Sequence, residues 1–259
     1  MKLSKRLERL AGMVTPGNRL ADVGTDHGYV PICLYEENRI PSAIAMDFHK
    51  GPLERAENHI KAAGLERYIE TRHSDGLAAL KEGEADTVLI AGMGGALMQR
   101  ILEEGRTVLF SVKELVLQPQ SEIAGIRQQL EALQWRIICE DTVCEDGKYY
   151  FMMKAVHGRE AHYTTAEHRY GRMKYQRSLS VLEEYLGRQV RIQQEILSGL
   201  PGEGSERSLA RAEFIRKDIR ILKQALDGCI QEQTERKKAG LCPEEERRKE
   251  PDGKMSGFD

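Results

Sequence analysis

Asp22-Val23-Gly24-Thr25-Asp26-His27-Gly28-Tyr29 is the stretch on which the fold turns. It begins inside the short apolar run 20–23 and leads into an amphipathic segment, 30–37, so it has the form of a first strand-to-helix connection in a doubly wound α/β domain. That architecture places its ligand at this turn, at the carboxyl edge of the sheet. The residue types then say which ligand. A dinucleotide-binding turn carries G-x-G-x-x-G, which lets backbone amides and a helix amino terminus close on a pyrophosphate. Here only Gly24 and Gly28 are present, and Asp22 and Asp26 are added. Two unit charges ~4 Å apart interact by ~4 kcal/mol at an effective dielectric near 20, so these carboxylates repel a pyrophosphate. They suit a phosphate-free cation, and S-adenosylmethionine carries both a sulfonium and an ammonium. Gly24 lets such a ligand approach the main chain without a Cβ in the way, and Gly28 permits tight packing of the helix on the strand. Asp and Gly are also common in plain βα turns, so the reading needs support from further along the chain.

That support starts with the alternation of short apolar runs and helical periods. The runs 20–23, 43–46, 69–72, 87–91, 115–117, 136–144 and 149–156 read as strands, and 30–37, 51–63, 94–104 and 123–133 as crossover helices. No helix separates the last two strands; Glu145-Asp146-Gly147-Lys148 between them reads as a tight hairpin turn. The expected fold is α/β: a Rossmann-like, seven-stranded sheet of the class I methyltransferase kind. Beyond Gly158 the strand signal stops. Leu179, Leu182, Leu186 and Val190, then Ala212, Ile215, Ile219, Leu222 and Leu226, recur at helical steps on either side of Pro201-Gly202-Glu203-Gly204-Ser205. They imply a C-terminal α-helical, coiled-coil-like hairpin whose stripes serve helix packing. The expected divisions are 1–157 for the sheet domain, 158–236 for the hairpin and 237–259 for a disordered tail without apolar period.

Acidic residues recur at successive strand ends. Asp47 follows the second strand, 25 residues after Asp22, near the spacing at which a carboxylate meets both ribose hydroxyls. Phe48 beside it could pack on an adenine face. After the third strand, Asp75-Gly76 offers an acceptor for an adenine amino group, with a helix N-cap as the competing role for Asp75. The fourth strand leads into Ala91-Gly92-Met93-Gly94-Gly95, without the Asn/Asp-Pro-Pro-aromatic motif of exocyclic-amine methyltransferases. A glycine-rich turn suits a flat ring whose nucleophile already holds a lone pair, such as N1 of adenine. No general base is then obligatory, and catalysis rests on alignment and on stabilising a cationic product ring. Asp26 is the candidate for that electrostatic role, with Tyr29 and His27 positioning base or cofactor. Gln118-Pro119, after the fifth strand, could supply an amide to the base. Lys5 and Arg6 near the amino terminus, and Arg169, Arg172 and Lys174 among Tyr163, Tyr170 and Tyr175, are candidate substrate contacts that could track phosphates and stack bases; a solvated helix face is the alternative.

Composition narrows the classes. Net charge is −2 with 31% charged residues, so no large positive field marks a nucleic-acid protein. Residues 1–157 hold 19 Lys and Arg against 23 Asp and Glu, and the remainder 20 against 18, which puts any basic partner-binding bias in the helical part. Five dispersed cysteines without a CxxC pair argue against a disulfide framework and a structural zinc. No apolar run reaches the ~18 residues of a membrane span, and the amino-terminal stretch lacks an apolar signal core. A soluble, cytoplasmic monomer without a metal is the expectation.

Taken together, Leu3-Ser4-Lys5-Arg6-Leu7, the Asp22–Tyr29 turn, Gly51-Pro52, Asp75-Gly76-Leu77, Ile90-Ala91-Gly92-Met93-Gly94-Gly95, Leu117-Gln118-Pro119 and Glu145-Asp146-Gly147-Lys148 resemble the bacterial TrmK family over roughly residues 1–157. The resemblance implies methylation of N1 of the adenine at position 22 in the tRNA D-arm, with S-adenosylmethionine as donor and tRNA as partner. It implies that Asp22, Gly24, His27, Asp47, Asp75, Gly76, Gly92 and Met93 line the donor site and that the helical part helps hold tRNA. Asp47 stands where the family pattern favours Glu, and the tail has no counterpart. Two rivals remain on the residues alone: a nicotinamide-dependent oxidoreductase, opposed by the missing third glycine and the acidic turn, and a non-catalytic RNA-binding module on the same fold.

Overall fold

The computed structural model describes residues 3–200 and 206–241; the break at 201–205 and the tail from 242, with Cys242, lie outside the described residues. One sheet of seven strands organises the first part: β1 (Leu20–Val23), β2 (Ala43–Asp47), β3 (Ile69–His73), β4 (Thr87–Met93), β5 (Glu114–Pro119), β6 (Trp135–Glu145) and β7 (Lys148–His157), in the order β3-β2-β1-β4-β5-β7-β6. The first five pair in parallel, and β7 runs antiparallel to both β5 and β6. Asp146 and Gly147, at φ 50° and 73°, make the two-residue turn, with the positive φ at both positions that the twist of a hairpin favours.

Alternation along the strands splits the core into two layers. Ala21, Val23, Val88, Ile90, Leu115 and Leu117 face α4 (Gly95–Glu104), α5 (Arg106–Leu109) and α6 (Ile123–Ala132). Leu20, Ala43, Ala45, Leu89 and Val116 face α1 (Lys5–Ala11), α2 (Tyr29–Glu36) and α3 (Lys50–Ala62). β1, β2 and β4 are therefore apolar on both faces, as a sheet covered twice requires. Their polar ends collect at one edge.

The end of this unit falls later than the sequence placed it. The first compact unit runs through Gly171 rather than ending at 157. The reason is Arg127 of α6, fully buried: its Nε donates to Glu140 Oε1 at 2.8 Å, and its Nη1 donates to the carbonyls of His168 and Arg169 at 2.9 and 3.0 Å. Those carbonyls belong to α7 (Thr165–Tyr170), whose amino end is closed by a reciprocal Thr164–Glu167 capping box. The second unit, from Arg172, holds α8 (Leu179–Ser198) and α9 (Glu206–Lys238), whose Leu182, Leu186, Ile215, Ile219 and Leu222 are buried. Helix α9 carries order to Lys238, past the start expected for the tail. Among the described residues no helix is long and apolar enough to cross a membrane.

Candidate cofactor and target site

The carboxyl ends of β1, β2 and β4 open onto a cavity of about 230 Å³ lined by Gly24, Asp47, Phe48, Asp75, Gly76 and Met93, with His49, Leu97, Arg100 and Ile101 closing it. Asp22 interrupts the apolar run of β1, one residue before its end, and is 7% exposed. Burial pushes its carboxyl up to about 6, and the negative charge of Asp47 adds to the shift. Asp47 is half-buried at the end of β2, where one carboxylate oxygen accepts the His49 backbone N–H at 2.6 Å.

The four carboxylates read from the sequence fall into two kinds. Asp26 is exposed and accepts from Arg55 of α3 at 2.8 and 3.2 Å. Asp75 is bound at both oxygens by Arg100 of α4, at 2.9 and 3.3 Å, and that guanidinium holds its carboxyl below the usual range. Asp22 and Asp47 have no ion-pair partner among the described residues. The uncompensated negative charge therefore sits on Asp22 of β1 and Asp47 at the end of β2. No helix starts at Asp75, which removes the N-cap alternative; Ser74 organises that turn by donating to Gly76 O at 2.9 Å and accepting from Ala79 N at 3.0 Å.

Glycine is required at several of these points. Gly24 has φ 77°, its N–H donates to Met46 O at 2.8 Å, and a Cβ there would run into the Met93 side chain. Gly28, at φ 68°, starts α2 against Ala56 of α3, so its close packing is helix on helix rather than helix on strand. Between them His27 also adopts positive φ, 70°, and its ring stacks on Tyr29 at 4.9 Å and on His59 at 5.3 Å. His27 Nδ1 is buried without a hydrogen-bond partner. On β4 the ladder to β5 shifts register between Ala91 and Met93, with Gly92 at φ 76°, and Gly94 leads directly into α4. Phe48 is 56% exposed, an uncovered aromatic face at the cavity wall.

A second cluster forms at the same edge on the α1 side. Gln118 accepts from Arg6 Nη1 at 2.7 Å, donates to Pro119 O at 3.1 Å and is fully buried, so its amide presents no surface to a base. Tyr29, Ala91 and Tyr150 pack on the same apolar layer. Lys5 is exposed. Of the later basic candidates, Arg169 is half-buried on α7, Arg172 is buried, and Lys174 lies over the Tyr175 ring at 4.6 Å. Arg172 is thus not part of an open basic face.

Sequence reasoning missed Arg55, Arg100, Leu97, Ile101 and His59. Each reaches the site from a crossover helix, Ile101 from its buried face, and a helical period alone does not say which turn of the helix overhangs the sheet edge.

The donor set fits S-adenosylmethionine on this geometry: a buried carboxyl and a half-buried one without cationic partners and a glycine cradle, with an orphaned histidine nitrogen in the same first turn. Comparison with known proteins agrees. Residues 3–153 match the family described as "Methyltransferase domain". The chain is 40% identical over 164 residues to the tRNA (adenine(22)-N(1))-methyltransferase of Bacillus subtilis, covering 63% of this chain and 69% of that protein. The crystal structure of Bacillus subtilis tRNA methyltransferase TrmK is similar with a TM-score of 0.77 at 30% identity, over 87% of this chain and 99% of that one. That of Streptococcus pneumoniae Sp1610 in complex with S-adenosyl-L-methionine gives 0.76 at 31%, over 87% and 100%. With its acidic sheet edge, its seven-stranded topology and these likenesses, the chain belongs to the tRNA (adenine(22)-N(1))-methyltransferase family.

Proposed function

We propose that this chain transfers a methyl group from S-adenosylmethionine to N1 of adenine 22 in tRNA. The observation that carries the reading is the pair Asp22 and Asp47, acidic groups at neighbouring strand ends with no cation of the protein's own. When bound, the donor supplies an electrophilic methyl group. The chain's own residues bind and orient. Asp22 faces the cationic amino-acid portion, Asp47 accepts from the ribose hydroxyls, and Phe48 covers the adenine. Gly24 and Gly92 keep Cβ atoms out of the approach. Asp75, already paired with Arg100, forms with Gly76 the far wall.

N1 of adenine carries no proton at neutral pH, so no side chain has to remove one before attack, and alignment supplies most of the rate. Tyr29 and His27 form the stacked wall beside which the base lies. Asp26 acts through its pair with Arg55, fixing the turn, rather than by facing the product ring. The test is direct: purified chain, labelled donor and unmodified tRNA, followed by mapping of the modified position. Methyl label at N1 of adenine 22 supports the reading. Donor binding without transfer supports the non-catalytic RNA-binding module instead.

A further inference from the structure

The guanidinium of Arg6 is held at the active edge by neutral groups, while the Glu145 carboxylate accepts the Arg6 backbone N–H at 3.4 Å. Its Nη1 donates to Gln118 Oε1 at 2.7 Å, and the guanidinium carbon lies 5.3 Å from the centre of the Tyr150 ring. Both partners are neutral, and among the described residues no carboxylate pairs with its guanidinium. One of five N–H donors is used on Gln118, and the rest of the planar fork is the shape that binds phosphate oxygens two at a time. Gln118 is paired with Ala91 in the β4–β5 ladder, so Arg6 stands beside the Ala91-Gly92-Met93 turn, where a target base would enter. Gln118 itself is bonded within the protein at both ends of its amide and is fully buried, so it does not reach base edges.

We infer that Arg6 binds the phosphodiester next to the target adenosine, and that Gln118 is a positioning residue that aims it. This rests on the tRNA-methyltransferase reading above. A guanidinium oriented by a buried amide and an aromatic face loses little side-chain freedom on meeting the phosphate. Contacts of this kind fix the register of the nucleic acid without reading its sequence.

The test uses the full chain with Arg6→Gln, Arg6→Lys, Gln118→Met and the Arg6→Gln/Gln118→Met double variant. Affinity for an unmodified tRNA transcript is followed across KCl concentration by anisotropy, with S-adenosylmethionine affinity followed by calorimetry. Arg6→Gln is expected to weaken tRNA binding about tenfold and to make the log–log salt dependence shallower by roughly 0.7–0.9, one phosphate's worth, while donor affinity stays unchanged. Arg6→Lys should keep the salt slope. Gln118→Met should weaken tRNA binding less than Arg6→Gln and add nothing in the double variant. Unchanged affinity and slope in Arg6→Gln would overturn the inference, as would a Gln118→Met penalty that persists in full without Arg6. A wild-type chain that bound no tRNA at all would overturn the parent reading as well.

Discussion

Asp22 is the residue at which sequence, fold and chemistry meet. Its type was legible as an acidic turn, but its burial at the end of β1, which raises its carboxyl from 3.8 to about 6, was not. At ~1.4 kcal/mol per decade, holding Asp22 ionised in the fold costs ~3 kcal/mol. The sign follows: a carboxyl with a raised folded-state value contributes stability below its unfolded value, and that contribution is lost as pH rises toward 6. A cation beside Asp22 reverses the preference. S-adenosylmethionine affinity should therefore fall as pH drops below about 6 and level off above it, with proton release on binding near pH 6; calorimetry in buffers of different ionisation enthalpy reads both. Asp22→Asn should flatten the profile. Arg55 and Arg100 were invisible in the sequence because their partners Asp26 and Asp75 lie 29 and 25 residues away. Nothing in a turn's composition says which of its carboxylates a distant helix has already claimed.

At the scale of elements the chain was more transparent. Strand and helix cores follow from apolar alternation, and the hairpin from Asp146-Gly147, because each signal is local. What local signals do not supply is the fit of one element against the next. Gly76, at φ 56°, faces Ile101 of α4, with a Cβ position 2.8 Å from its nearest atom. Gly76→Ala should cost about 1–3 kcal/mol in chemical denaturation and also weaken donor binding, since α4 carries Arg100 and Leu97 to the same cavity. Gly24→Ala adds strain and a clash with Met93 at the cavity itself, and should reduce donor affinity at least tenfold.

For the whole molecule, the boundary read at 157 moved because residues 158–171 belong to the sheet unit through Arg127 and Glu140. An ion pair joining a helix to a strand and then to two carbonyls some 40 residues onward leaves no pattern in the chain. Arg127→Met should destabilise the protein by about 3–5 kcal/mol, because it removes the guanidinium that pairs with buried Glu140 and holds two carbonyls of α7; thermal unfolding reads this. By the same logic a fragment ending at residue 171 should fold and bind donor as the full chain does, whereas one ending at 157 should unfold at a markedly lower temperature.

In the proposed reaction, uncompensated carboxylates at the sheet's edge select a phosphate-free cation. Calorimetric titration of the wild type, Asp22→Asn and Asp47→Asn with S-adenosylmethionine and, in parallel, with NAD tests it most directly. Tight donor binding by the wild type, at least a tenfold loss in each variant and no heat from NAD are expected. Equal affinity for NAD, or variants that bind the donor as well as the wild type, would contradict it.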